Sequence, residues 1–86
     1  MAATITINNY TFAPSTLTVA PGATVTVKNI DKPTHTVTAS PPHKGAFDTS
    51  DIAPGQTKVF RAPTTPGEYP YHCSVHPFMH GTLIVR

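Results

Sequence analysis

The chain has 86 residues, 12% of them charged, and a formal net charge of +2, so it has room for one small domain, expected over residues 1–86. Its six basic residues form no run, which argues against nucleic acid or an anionic membrane as a partner. No apolar stretch approaches the roughly 20 residues of a membrane span. A domain this small often needs a disulfide or a metal for stability. With one cysteine and five histidines, the composition favours a metal.

Apolar residues that alternate with threonines predict half-buried strands in the first part of the chain. Fifteen threonines, together with many valines and isoleucines, favour a β protein. The alternating pairs are Ile5 with Ile7, Leu17 with Val19, and Val25 with Val27. A further strand is predicted to begin at His35. It carries His35, Val37 and Ala39 on one face, and Thr36 and Thr38 on the other.

The second half of the chain predicts a long connection followed by three strands. The connection is the polar stretch 40–51, with a short edge strand expected near Phe47. The strands are expected over 56–62, through Tyr69, Tyr71 and Cys73, and over 81–86. Pro-Gly pairs ending at Gly22, Gly55 and Gly67 predict type II turns. Seven or eight short strands separated by such turns are typical of an all-β sandwich.

The loop before the last strand carries the residues with the most specific chemistry. Cys73, His76 and Met79 stand at three-residue steps, and His35 lies at the start of a strand far upstream. One thiolate, two imidazoles and a weak thioether form the donor set of a blue-copper electron-transfer site. Soft sulfur suits Cu(I) and imidazole suits Cu(II), so the mixed set accommodates both oxidation states.

Strand phase predicts that these four residues converge at one end of the sandwich. Cys73 shares the inward face of its strand with Tyr71, and His35 shares an inward face with Val37. The end of one strand and the start of an antiparallel neighbour lie at the same end of a sheet. The loop with His76 and Met79 leaves from that end.

Other interpretations of the cysteine are weaker. A lone cysteine is usually a small buried apolar residue, but here it stands in a regular pattern with His76 and Met79. Tyr71 two residues before Cys73 resembles an immunoglobulin tyrosine corner, yet the chain has no second cysteine and no tryptophan. A thiol hydrolase would need a cleft and an oxyanion hole. Zinc suits Cys and His, but a methionine ligand favours copper.

Three histidines are left outside the predicted ligand set. His72 falls on the strand face opposite to Cys73, so an outward position is expected. His80 is expected to be exposed, and His43 to be solvated in the proline-rich connection.

The ligand loop and the chain as a whole resemble the cupredoxins of the plastocyanin and amicyanin group. The segment from Tyr71 through Cys73, His76 and Met79 most resembles the amicyanin loop. The resemblance implies an eight-stranded Greek-key sandwich that binds one type 1 copper ion. It also implies that His35, Cys73 and His76 are equatorial ligands and that Met79 is the axial ligand.

One residue departs from the pattern of that group. The family usually has asparagine after the first histidine ligand, where its side chain ties that segment to the cysteine loop. This chain has Thr36, whose hydroxyl is shorter and makes fewer hydrogen bonds. The reduction potential therefore does not carry over from the family.

The resemblance implies a carrier of single electrons between redox proteins and not an enzyme. An apolar patch of His76, Pro77 and Phe78 is the expected docking surface, and a monomer is expected. Two alternatives remain, a copper carrier or store, and a domain derived from a larger multicopper enzyme. Blue-copper carriers generally work outside the cytoplasm, so a periplasmic or other extracytoplasmic location is expected. No signal peptide opens the chain, and removal of one is part of that expectation.

Overall fold

The computed structural model describes residues 3–76 and 78–86, and these residues form eight strands. The strands are β1 (Ala3–Asn8), β2 (Thr11–Ala13), β3 (Thr16–Val19), β4 (Thr24–Asn29), β5 (Thr38–Ala39), β6 (Thr57–Arg61), β7 (Gly67–His72) and β8 (His80–Val85). The described part of the chain contains no helix, and thus none long and apolar enough to cross a membrane. The predicted all-β sandwich is confirmed.

The strands form two mixed four-stranded sheets, in the orders β2-β1-β4-β6 and β3-β8-β7-β5. β1 pairs with β4, and β3 with β8, in parallel, whereas the other neighbours are antiparallel. Ile5, Ile7, Val25 and Val27 of the first sheet are fully buried, as is Leu83 of the second. The alternation of apolar residues and threonines therefore places one face of each sheet in the shared core.

Two of the predicted Pro-Gly turns close as expected. The amide of Ala23 donates to the carbonyl of Ala20 (3.1 Å) across Gly22. Likewise, the amide of Gln56 donates to the carbonyl of Ala53 (2.9 Å) across Gly55. Gly22 and Gly55 have φ values of 73° and 80°. These conformations favour glycine, so the residue type and the turn agree.

The strand predicted to begin at His35 is wrong in extent, because regular pairing covers only Thr38–Ala39. The preceding amides have side-chain partners instead of a neighbouring strand. The amide of Thr36 donates to Cys73 Sγ (3.3 Å), and that of Val37 donates to Thr49 Oγ1 (2.9 Å). The segment is thereby tied to the cysteine and to the connection.

The expected edge strand near Phe47 is reduced to a single bridge between Thr38 and Asp48. The patterns in the sequence also do not predict β2 as a separate strand. β2 forms a hairpin with β1. The two residues of the hairpin turn, Asn9 and Tyr10, have positive φ values of 52° and 60°.

Candidate metal centre

The end of β7 and the start of β5 meet at one end of the second sheet, as the strand phase predicts. Thr38 pairs with His72 in antiparallel register, so Cys73 follows β7 beside the segment that carries His35. The ligand loop, residues 73–79, then leads into β8. Its ends are joined by the Cys73 amide, which donates to the carbonyl of Met79 (3.3 Å).

Three of the predicted ligands have their donor atoms within 4.8 Å of one another: His35, Cys73 and His76. Cys73 Sγ lies 3.5 Å from His35 Nδ1 and 4.0 Å from His76 Nδ1. His35 and Cys73 are fully buried, whereas His76 is partly exposed. Two nitrogens and one sulfur thus face a common point from two segments distant in sequence.

Met79, the fourth predicted ligand, lies at the end of the same loop. Its side chain is buried, with 2% of its surface exposed, and its amide donates to the carbonyl of His76 (3.0 Å). This bond closes a tight turn within the loop. The side chain of Met79 is therefore shielded from solvent in the same loop as Cys73 and His76.

His35 is oriented by a carboxylate that the sequence patterns do not single out. His35 Nε2 lies 2.9 Å from Asp31 Oδ2. With Nε2–H donating to this oxygen, Nδ1 carries the lone pair. This nitrogen faces Cys73 and is available to bind a metal. A carboxylate four residues before a histidine is a recognisable contact only in a helix, and this segment is irregular.

Asp31 also accepts two backbone hydrogen bonds, from the amides of Tyr10 (2.8 Å) and Lys32 (2.9 Å). The bond from Tyr10, followed by the contacts with His35 and Lys32, lowers the pKa of Asp31 from 3.8 to about 2, against the opposing effect of desolvation. Donors favour the charged carboxylate. Asp31 is therefore an anion beside the ring of His35 at neutral pH.

Asn29 holds this loop to the core. Its amide group donates to the carbonyls of Pro33 (3.0 Å) and Ile52 (2.8 Å), and its Oδ1 accepts from the amide of Asp31 (3.0 Å). Only 1% of Asn29 is exposed. A buried polar side chain needs such partners, and here they fix the path of the chain that leads to His35.

Thr36 ties the two ligand segments together, at the position where the group that the sequence resembles usually has asparagine. Its Oγ1 accepts from the amide of Ser74 (2.8 Å) and also lies within 3.1 Å of the Ser74 hydroxyl and 2.9 Å of the Thr38 hydroxyl. Thr38 in turn donates to Asp48 (3.1 Å). Because a carboxylate only accepts, Thr38 donates to Asp48. The Thr36 hydroxyl therefore donates to Thr38, and the Ser74 hydroxyl donates to Thr36.

Tyr10 is the second contributor that the sequence patterns miss. Its ring meets those of His35 and His76 edge-to-face, at centroid distances of 5.7 and 5.1 Å, and that of Phe78 at 5.9 Å. A left-handed backbone costs a non-glycine residue roughly 1–3 kcal/mol. The sequence gives no sign of this role. In the structure, the positive φ of Tyr10 in the β1–β2 turn marks it as unusual.

The remaining histidines lie away from the three-residue cluster. His72 is half-buried on β7, with Nδ1 2.6 Å from Ser40 Oγ. His80 is exposed at the start of β8, and His43 is exposed and packs against Tyr69 with a centroid distance of 4.4 Å. The structure thus places all three outside the donor cluster, as expected from the sequence.

The surface around His76 is partly apolar. Phe78 is 66% exposed and Val75 is 47% exposed, and the Phe78 ring lies 5.9 Å from that of His76. Pro77, the middle residue of the predicted docking patch, lies outside the described residues. The described members of the patch are therefore adjacent and accessible.

Where the ligand loop joins β8, the ring of Tyr71 packs directly against the backbone of Gly81. A Cβ on Gly81 would overlap the ring of Tyr71, so glycine at this position makes room for the tyrosine. The Tyr71 hydroxyl is buried and has no hydrogen-bond partner among the described residues. Burial raises the pKa of Tyr71 to about 12, so the ring is neutral.

The donor set of this cluster fits copper by its own chemistry. Two imidazole nitrogens and a buried thiolate, with a buried thioether in the same loop, combine the ligand types preferred by Cu(II) and Cu(I). The amide of Thr36 donates to Cys73 Sγ (3.3 Å) and orients the sulfur within the cluster. The group is suited to one copper ion.

Comparisons with known proteins agree with this chemistry. A family model described as a cupredoxin-like domain matches residues 1–85. The methylamine utilization protein MauL of Methylophilus methylotrophus is 27% identical over 83 residues, which are 95% of this chain and 48% of that protein. The chain thus spans about half the length of this curated relative.

Solved structures give the same picture at the level of the fold. A purple cupredoxin from Nitrosopumilus maritimus superposes with a TM-score of 0.87 at 26% identity, over 98% of this chain and 99% of that chain. A reduced Cu(I) form of an amicyanin variant superposes with 0.87 at 29% identity, over 99% and 82% of the two chains. A copper-containing nitrite reductase from Thermus scotoductus SA-01 also matches with 0.87 at 27% identity, but over 22% of its length.

Proposed function

Because the chain belongs to the cupredoxin-like domain family, we propose that it is a blue copper protein that carries single electrons between redox proteins. The observation that carries this proposal is the set of donor atoms of His35, Cys73 and His76, which lie within 4.8 Å of one another at one end of the sandwich. Met79, which is buried in the same loop, would complete the ligand set with its thioether sulfur. When bound, the copper supplies one-electron exchange between Cu(II) and Cu(I).

Hydrogen bonds within the protein position the two segments that carry the proposed ligands. Asp31 presents Nδ1 of His35 to the centre, and the amide of Thr36 is directed at Cys73 Sγ. The Thr36 hydroxyl accepts from the amide of Ser74, so the segments that carry His35 and Cys73 are joined next to both ligands. A site that changes little between oxidation states favours fast electron exchange, and these contacts support that role.

His76 is the proposed exit for the electron, because it alone of the clustered donors reaches the surface. We propose that a redox partner docks on the apolar patch of His76, Pro77 and Phe78. Small interfaces are usual for electron-transfer encounters, and the exposed Phe78 ring provides an apolar contact. With a net charge of +2, docking should depend only weakly on salt.

Two alternative functions have a basis, one in the comparisons and one in the structure. The nitrite reductase shows that the fold also occurs within a larger copper enzyme. We propose that this chain is not an enzyme by itself, because the described residues hold one cluster of three or more metal-binding groups. The partial exposure of His76 leaves open a metal carrier that exchanges copper readily.

We further propose that residues 1–86 act as one monomeric domain outside the cytoplasm. The family match over residues 1–85 supports a single domain. The extracytoplasmic location follows the usual working place of blue-copper carriers.

Electron exchange and metal retention distinguish a carrier of electrons from a carrier of copper. The copper-loaded protein should reduce and reoxidise repeatedly without loss of metal, and should lose copper only slowly to a strong chelator. Replacing His76 with alanine should abolish this behaviour. His80→Ala, which removes an exposed histidine outside the cluster, is the matched control. Rapid transfer of copper to the chelator, with no reversible redox cycle, would overturn the electron-carrier proposal.

A further inference from the structure

The turn of the β1–β2 hairpin holds an aromatic residue where the backbone favours glycine. Asn9 and Tyr10 are its two central residues, and both have positive φ (52° and 60°), as in a type I′ turn. Asparagine tolerates this conformation and glycine is the usual second residue. A bulky tyrosine there is an outlier that the surrounding structure must stabilise.

A single oxygen of Asp31 connects this turn to the metal end. Asp31 Oδ2 accepts from the amide of Tyr10 (2.8 Å) and lies 2.9 Å from Nε2 of His35. The backbone of the turn and the ring of the buried histidine are therefore fixed to the same atom. The shared Asp31 oxygen therefore fixes the position of the Tyr10 backbone relative to the ring of His35.

The ring of Tyr10 lies across both clustered histidines. It is nearly perpendicular to His35 (87°) and to His76 (82°), and it also contacts Phe78. Edge-to-face contacts at these distances are favourable. The ring of His76 also contacts those of Phe78 (5.9 Å) and His35 (4.9 Å), whereas the Asp31 carboxylate binds His35 and not His76. The contact with Tyr10 limits how far the partly exposed imidazole can swing outward.

We propose that Tyr10 is a positioning residue of the metal centre, kept in a strained backbone conformation because its ring holds His76 against His35 and shields the pair from water. This inference rests on the proposed copper site at the same residues. It assigns to the hairpin turn a role in retaining the metal.

Three variants separate the ring from the backbone. Tyr10→Gly relieves the positive φ and removes the ring, whereas Tyr10→Phe keeps the ring. Asn9→Gly relieves the neighbouring positive φ and leaves Tyr10 in place, so it is the matched control for backbone strain. If Tyr10→Gly folds poorly, Tyr10→Asn provides a second ringless residue that tolerates this conformation.

The measurements are the thermal midpoint of the metal-free protein, the rate of copper loss to a chelator, and the relaxation of water protons by bound Cu(II). Metal-free Tyr10→Gly should melt no lower than the wild type. Its copper loss should be roughly three- to tenfold faster, the fold-change expected when aromatic contacts of this type are lost, and water relaxation should increase. Tyr10→Phe and Asn9→Gly should retain copper as the wild type does.

The outcomes also distinguish this inference from the proposed function. If the wild type forms no copper–thiolate complex, the proposed function fails and this inference fails with it. If the wild type binds copper but Tyr10→Gly retains it as long and excludes water as well, only the role of Tyr10 is overturned. Equal acceleration in Asn9→Gly would assign the effect to the turn backbone and would likewise overturn it.

Discussion

The two segments that carry the proposed ligands are held in different ways. The segment 29–39 is buried at Asn29 and around His35, and hydrogen bonds that involve Asn29, Asp31 and Thr36 tie it to the rest of the fold. The ligand loop 73–79 contains the partly exposed His76, whose ring contacts are aromatic. One side of the metal centre is therefore rigid by hydrogen bonding, while the other is restrained mainly by packing. Such a difference leaves one histidine accessible without loosening the whole site.

The largest expected effect is the loss of the hydrogen bonds of Asn29. Asn29→Ala would leave the carbonyl of Pro33 and the amide of Asp31 without the partner that Asn29 provides, and the carbonyl of Ile52 would keep only the amide of His35 (3.1 Å). Unsatisfied buried groups are costly, so the free energy of unfolding of the metal-free protein should fall by about 3 kcal/mol. Denaturant unfolding measures this change. Asn8→Ala, at an exposed position, should stay within about 0.5 kcal/mol of the wild type, and equal losses in both variants would contradict the account.

A smaller effect is expected where the two segments are joined. Thr36→Val keeps the shape of the side chain but removes the acceptor for the amide of Ser74. The free energy of unfolding should fall by about 1–2 kcal/mol. Thr36→Ser keeps the hydroxyl and should recover most of this loss. If the valine variant is as stable as the wild type, the hydroxyl does not tie the segments together.

Two tyrosines of β7 should respond differently to the loss of their hydroxyl groups. The Tyr71 hydroxyl is buried without a partner among the described residues, so Tyr71→Phe should leave stability unchanged or raise it by up to about 1 kcal/mol. The Tyr69 hydroxyl donates to the carbonyl of Thr65 (2.6 Å), so Tyr69→Phe should lower stability by about 1 kcal/mol. Paired thermal melts compare them. A clear loss in Tyr71→Phe would show that its hydroxyl is satisfied.

The smallest expected effect is a pH dependence from Asp31. Its pKa in the folded protein is about 2, below the ordinary 3.8, so the charged form stabilises the fold. This contribution is complete above pH 3.8 and disappears as the pH falls through about 2. The difference in thermal midpoint between metal-free wild type and Asp31→Asn should therefore shrink between pH 5 and pH 2. A difference that stays constant over this range would contradict the role of the carboxylate.

The sequence reveals one of these two segments better than the other. Cys73, His76 and Met79 lie close together in the chain, so their spacing alone predicts the ligand loop. Placing His35 required strand phase, and the predicted strand was too long because the amides of Thr36 and Val37 bond to side chains. No local periodicity reports such contacts.

The supporting residues were the hardest to predict because they act over long sequence distances. Tyr10 reaches Asp31 across 21 positions, and Asn29 reaches Ile52 across 23. The all-β fold and the turns at Gly22 and Gly55 depend on local patterns, and these predictions are confirmed. The hydrogen bonds around His35 depend on how the irregular segments fold over one another, which local patterns do not encode.

The central claim is that one copper ion binds through Cys73 together with the two histidines. The most direct test is the visible spectrum of the metal-free protein after addition of one equivalent of Cu(II). We expect an intense thiolate-to-copper band that saturates at one equivalent, is absent in Cys73→Ser and persists in His80→Ala. A colourless product, or a band that survives in Cys73→Ser, would contradict this claim.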